Sequence, residues 1–199
     1  MKKIFSLILL LIPLLGLSQS DSSKQYIHKK LLRSCGGISP GIMTKQKITN
    51  IYLVGNLEFY VNRKISLRGE SYYFIHTIDD TALFAFNHKT FAGAIYHFPT
   101  KNHLDPYVGI SPGIAITKSK YGGYCPPGTN CIQGFVGPTY SKVAANPLMS
   151  ADFGINYYFQ RWFHFYADVR YNYGKHLSDA PPESLSEFNF TFGLGWNIF

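Results

Sequence analysis

Apolar and polar residues alternate one for one along much of this chain, most clearly in its last run. Phe188, Phe190, Phe192, Leu194, Trp196 and Ile198 share one parity; Glu187, Asn189, Thr191, Gly193, Gly195 and Asn197 share the other. Successive side chains of a β-strand point to opposite faces. The run therefore predicts a strand with one apolar, aromatic face and one polar or small face. The split recurs over 163–173, 148–159, 107–117, 65–75 and 51–61, and more weakly over 37–45 and 90–98. That makes eight candidate strands, each of about ten residues, the length a tilted strand needs to cross a bilayer.

The connections alternate in length. Asn62-Arg63-Lys64 and Gln160-Arg161-Trp162 are tight turns, and Pro99–Pro106 is somewhat longer. The other set, 77–89, 119–147 and 174–186, is long and rich in Gly, Pro and Ser, with only 46–50 short. An echo runs through the chain: Gly37-Ile38-Ser39-Pro40-Gly41-Ile42 returns as Gly109-Ile110-Ser111-Pro112-Gly113-Ile114. The hairpin over 51–75 also aligns without gaps on the hairpin over 149–173. Duplication of a four-strand half, or convergence within one architecture, accounts for this; either supports an even strand count.

A soluble sandwich would also alternate, with its apolar face in a shared core. Three features favour a membrane barrel instead. The polar face is poor in Lys and Glu, which a solvated surface uses freely. It carries Gly, Ser, Asn and Tyr, which suit a narrow interior. Aromatics gather near strand ends, as at Tyr157, Phe159, Trp162, Phe163 and Trp196, where an interfacial girdle belongs. The expected fold is all-β: an eight-stranded antiparallel transmembrane β-barrel with short periplasmic turns and longer extracellular loops. A sheet in lipid must close because unpaired edges are forbidden there.

Eight strands enclose room for packed side chains and little else. Glu58, Arg68, Glu70, Asp152, Asp168 and Arg170 all take the inward parity. Opposite signs can offset each other's desolvation, so a salt-bridged plug is expected, with Glu70 and Asp168 set among Arg68 and Arg170. A proton or ion path is the sharper alternative.

Residues 1–18 fit export. Lys2 and Lys3 precede the apolar run Ile4 to Leu15, and Gly16 and Ser18 are small residues before a cut at Gln19. Residues 19–34 follow as a polar, basic periplasmic tail, and the barrel is expected over 35–199. The 199-residue chain carries +8 formally, and Lys2 and Lys3 would leave with the signal. For an exported chain the counter-charges are outer-membrane lipid and lipopolysaccharide rather than nucleic acid. No Cys directly follows the cut, which argues against a lipid anchor.

The pattern resembles the small eight-stranded outer-membrane barrels of the OmpA/OmpX type. It is most similar to the outer membrane protein beta-barrel domain proteins of Bacteroidota. The matching segments are Leu17-Ser18-Gln19, Pro106-Tyr107-Val108-Gly109, Gly154-Ile155-Asn156-Tyr157-Tyr158-Phe159 and the terminal Phe192-Gly193-Leu194-Gly195-Trp196-Asn197-Ile198-Phe199. The resemblance covers roughly 35–199. It implies assembly by the outer-membrane insertion machinery, which reads the last strand and its terminal aromatic. Phe199 departs from the pattern, being out of phase with Ile198, Trp196 and Leu194. No wall-binding domain follows residue 199, so wall tethering is not expected.

Catalytic chemistry is sparse. Cys125 and Cys131 bracket Pro-Pro-Gly-Thr-Asn in the longest loop, where an oxidising compartment favours a disulfide. A metal pair is the alternative, without a nearby His or third Cys to complete it. Cys35 is left over as a buried thiol or an intermolecular link. Seven His are scattered without metal-ligand spacing. His176 and Ser178 lie together in KHLSD, as in outer-membrane barrels that hydrolyse lipid acyl chains, but a nucleophile also needs a third group to orient its base. The expectation is no enzyme and no cofactor. The roles left are a structural or surface-interaction protein acting through its loops, or an accessory subunit docking on another outer-membrane protein.

Overall fold

The computed structural model describes residues 27–78, 83–100, 103–121 and 139–198. The export segment, the start of the tail, Cys125, Cys131 and Phe199 lie outside the described residues. Ten strands follow in chain order: β1 (Leu32–Met43), β2 (Thr49–Tyr60), β3 (Ile65–Thr77), β4 (Phe84–His97), β5 (Leu104–Tyr121), β6 (Thr139–Tyr140), β7 (Ala144–Gln160), β8 (Phe163–His176), β9 (Glu183–Ser184) and β10 (Glu187–Asn197). The two-residue β6 and β9 pair only with the ends of β5 and β8. The other eight form one antiparallel circuit, β1-β2-β3-β4-β5-β7-β8-β10, which closes where β10 pairs back to β1. This is the closed eight-stranded barrel that the alternation predicts. Among the described residues each of these eight strands has a ladder on both sides, so the circuit has no open edge.

Alternation sets the faces. Leu53, Leu57, Phe59, Leu67, Ile110, Phe153, Val169 and Phe192 all point outward and stand exposed. Their neighbours Tyr52, Glu58, Arg68, Ser111, Asp152, Arg170 and Thr191 point inward and are buried. The barrel is thus the reverse of a water-soluble protein: its polar residues are its core. At the end carrying the turns 61–64 and 161–162, aromatic rings pack in a belt. Tyr157 meets Phe159, Phe159 stacks on Phe163, and Phe163 lies between Trp162 and Trp196, all with centroids 5.0–6.0 Å apart.

Several strands run past their expected limits. β1 begins at Leu32, so Leu32, Arg33 and Ser34 belong to the barrel wall rather than to the tail ending at residue 34. Arg33 resembles tail in sequence because it follows a basic run; its inward position makes it core. β4 begins at Phe84 rather than residue 90, so residues 84–89 of the expected 77–89 loop are strand. Its alternation is weak because Phe84, Phe91 and Ile95 face inward on the same side as Asn87, Lys89 and His97.

The echoed segments occupy equivalent places, each in the first strand of a four-strand half. Pro40 interrupts the β1–β10 ladder between Ile38↔Phe192 and Gly41↔Asn189. Pro112 interrupts β4–β5 between Phe91↔Gly113 and Ala94↔Ile110. Proline has no N–H to contribute to a ladder, and the two breaks fall on opposite sides of the barrel. Beside the first, Gly37 faces Gly193 across the closure, and the Tyr166 side chain lies over both. A Cβ on either would collide with the facing backbone and with Tyr166.

Candidate functional site: the charged lumen

The lumen holds three layers of charge. Nearest the turns, Glu58 is the hub. Its carboxylate lies 2.7 Å from Arg33, 2.9 Å from Arg68 and 2.7 Å from His97, and accepts from Ser66 Oγ at 2.5 Å. His97 bridges to Asp105 at 2.8 Å. Asp105 also lies 3.3 Å from Arg33 and accepts from Asn156 Nδ2 at 2.8 Å. The Tyr158 hydroxyl oxygen accepts from Arg33 Nη1 at 2.8 Å.

At mid-height Arg170 pairs closely with Glu70, lies 3.4 Å from Asp152 and donates to Ser150 Oγ at 2.7 Å. Arg68 reaches Asp152 from below at 3.7 Å. Nearest the loops, Lys89 pairs closely with Glu187, which also accepts from Tyr52 and Asn50, each at 3.1 Å. Beyond this layer an apolar cluster containing Met43, Ile48, Phe84 and Leu185 fills the mouth.

Burial would make each charge costly if it stood alone. Arg33 and Arg170 are 0% exposed. Among the described residues four lumen cations also lie over aromatic rings: Arg33 on Tyr60, Arg68 on Tyr107, Lys89 on Tyr52 and Arg170 on Phe91, at 4.3–5.1 Å. The negative face of each ring attracts the cation more strongly where water is excluded.

All six charged residues expected in the lumen are there and buried. Their pairing differs from the expectation in one respect. Glu70 pairs with Arg170 and Glu58 with Arg68, but among the described residues Asp168 has no cation within ion-pair distance. It accepts only from the Tyr107 hydroxyl at 3.2 Å, and its Oδ1 has no hydrogen bond. The fields of Arg170 and Arg68 on Asp168 are opposed by those of Glu70 and Asp152. Five further members escaped the sequence reading: Arg33, Lys89, His97, Asp105 and Glu187. Arg33, Lys89 and Asp105 lie in segments read as tail, loop and turn. Extending the runs at 90–98 and 107–117 by one and two residues would have found Lys89 and Asp105, and extending that at 37–45 by four would have found Arg33; His97 and Glu187 lie inside the runs at 90–98 and 187–198, on the inward parity.

Cys35 is a free, buried thiol 3.5 Å from His164 Nε2. Ser178 Oγ is 2.7 Å from His176 Nε2, and His176 Nδ1 is 2.7 Å from Thr117 Oγ1. The group behind the imidazole is thus a hydroxyl rather than a carboxylate, and His176 faces the lumen, not the outer wall. In the same loop region the Lys142 amide donates to Asp179 at 2.9 Å and holds its carboxyl below the usual carboxylate range.

No protein-family model matches this sequence, and no curated protein matches it. Solved structures do resemble it. The outer membrane protein OprG from Pseudomonas aeruginosa superposes with a TM-score of 0.65 at 11% identity, covering 88% of this chain and 99% of that one. Neisserial surface protein A gives 0.63 at 13%, covering 84% and 96%. The N-terminal β-barrel domain of Pseudomonas aeruginosa OprF gives 0.58 at 15%, covering 86% and 100%. At these identities the likeness is one of fold: the chain has the fold of the small eight-stranded outer-membrane barrels.

Proposed function

We propose that the chain is an integral outer-membrane protein with a salt-bridged plug, acting without catalysis as a structural or surface-interaction protein through its loop end. One observation carries the reading: the distribution of polarity is inverted. Large apolar side chains such as Ile38, Leu53, Ile110 and Phe153 stand 53–62% exposed around the wall, while four cations and their carboxylates are buried inside. Water would penalise both faces, whereas a bilayer satisfies the wall and closure satisfies the backbone. Export through a cleaved segment at 1–18 belongs to the same reading.

The full-length chain in native membranes should resist extraction by buffer or urea and require detergent. Unboiled material should migrate differently from boiled material. Planar-bilayer recording should show no steady conductance of porin size. Extraction without detergent would overturn the membrane assignment; large stable channels would overturn the plug.

A second reading, an accessory subunit in a larger outer-membrane assembly, has one feature in its favour. Cross-strand partners Gly36, Gly55, Ser71 and Thr90 form an exposed outward row across β1–β4. Bulky aromatics cover β8 and β10 on the opposite wall. Small residues let protein surfaces approach closely in a membrane. Purification in mild detergent decides: a stoichiometric partner favours the subunit, a lone species the free-standing barrel.

A further inference from the structure

The outer wall of β3, β4, β5 and β7 is cut by a groove of about 590 Å³, lined chiefly by the outward residues Ile65, Ala94, Tyr96, Val108, Ile110 and Ala151 and reaching Ile95, Gly109 and Asp152 of the inward parity. The sequence builds it from short side chains set between long ones. Ala94 faces Leu67 on one side and Ile110 on the other, and Ile110 in turn faces Ala151. The groove also adjoins the interrupted β4–β5 ladder, where Pro112 stands opposite Ala92 with no N–H to give. Its size is that of a site for a small molecule, yet its lining is almost wholly apolar.

Cations and aromatic rings stand at the turn end of this groove. Lys64 precedes Ile65 in the chain, and its carbonyl accepts from the His97 amide at 2.7 Å, beside Tyr96. Arg63 and Lys64 are both exposed on that turn. Tyr96 and Phe98 pack edge to face 5.2 Å apart at the same level. An apolar trough ending in aromatics and two cations matches an amphiphile with an anionic head. A second copy fits less well: two-fold pairing about an axis along the membrane normal would bring like charges together at one level.

We propose that this groove seats an acyl chain of an anionic phospholipid, with the headgroup phosphate against Arg63 and Lys64. The proposal rests on the membrane-spanning reading above. It places a specific lipid site on the β3–β7 side of the wall.

The test uses the full chain reconstituted in phosphatidylcholine vesicles containing a minor fraction of phosphatidylglycerol. Protein is then extracted in mild detergent, and retained lipids are counted by native mass spectrometry. The wild type should keep one phosphatidylglycerol in preference to phosphatidylcholine. Ala94→Leu combined with Ala151→Leu fills the trough and should remove the preferentially retained phosphatidylglycerol. Arg63→Gln combined with Lys64→Gln should remove the preference for phosphatidylglycerol. Because that turn is exposed, the second variant decides the matter even where the first does not insert. Equal retention of both lipids by the wild type, unchanged selectivity in the turn variant, or a dimer occupying the groove in place of lipid would overturn the proposal alone. A chain that does not insert into vesicles would overturn the membrane reading with it.

Discussion

Glu58→Gln is the most informative single change in the lumen. The substitution keeps side-chain volume and removes one negative charge from a carboxylate that serves Arg33, Arg68 and His97 at 2.7–2.9 Å. Those guanidinium groups stay buried, since Arg33 is 0% exposed and Arg68 is 5%. Arg33 keeps Asp105 at 3.3 Å and Arg68 keeps Asp152 at 3.7 Å, both longer contacts. Breaking a buried pair from one side costs about 3–5 kcal/mol, chiefly because the remaining charge is stranded away from water. The surviving partners keep the loss within that range rather than doubling it. Asp168→Asn is the contrasting change, because Asp168 has only the Tyr107 hydrogen bond and opposed neighbouring fields. Asparagine can still accept that bond, so stability should change by less than about 1 kcal/mol. Val169→Ala on the exposed wall serves as the control. Equilibrium urea unfolding in micelles, followed by the emission of Trp162 and Trp196, gives the differences by linear extrapolation. If Glu58→Gln matches the wild type while Asp168→Asn is the more damaging, the assignment of Glu58 as the hub is wrong.

Further outcomes follow from other parts of the barrel. In a double-mutant cycle, Lys89→Met and Glu187→Gln should couple by about 0.5–3 kcal/mol; additive losses would mean that the two groups do not interact. Gly37→Val places a side chain against the Phe192 carbonyl and Tyr166 at the closure, so it should abolish the mobility difference between unboiled and boiled protein; retention of that difference would show that the seam can relax. The Asp179 carboxyl is held low by the Lys142 amide, so the tether between the two loops should be intact above the ordinary carboxylate pKa and lost as pH falls through the lowered one. Protection of the Lys142 amide against exchange should follow that course, become independent of pH in Asp179→Asn, whose amide oxygen still accepts, and be absent in Asp179→Ala at every pH. Mass mapping of non-reduced peptides should find Cys125 joined to Cys131; two free thiols in freshly isolated protein would exclude the bond.

Strands, faces and closure were legible in the sequence because each is a local, period-two property. Parity alone assigned Leu57 to the wall and Glu58 to the interior, since the pleat leaves a strand no other option. Closure followed from the apolar wall, because lipid offers nothing to an open edge. Parity also collected charges of both signs inside. It could not say which charge meets which, because the partners converge across the lumen from strands distant in the chain. Arg170 on β8 meets Glu70 on β3, Lys89 on β4 meets Glu187 on β10, and Arg33 on β1 meets Asp105 on β5. Such pairings depend on strand stagger and side-chain reach, which only the closed barrel sets. The same holds for Asp168: its sequence position is as inward as that of Asp152, yet tertiary packing gives Asp152 two arginines and Asp168 none. On β4, inward Phe91 and Ile95 blur the alternation that would have revealed Lys89 and His97. Those apolar groups face the lumen because they fill space left by glycines on β5: Phe91 lies over Gly113 and Ile95 over Gly109. That complementarity between neighbouring strands exists only once their register is formed.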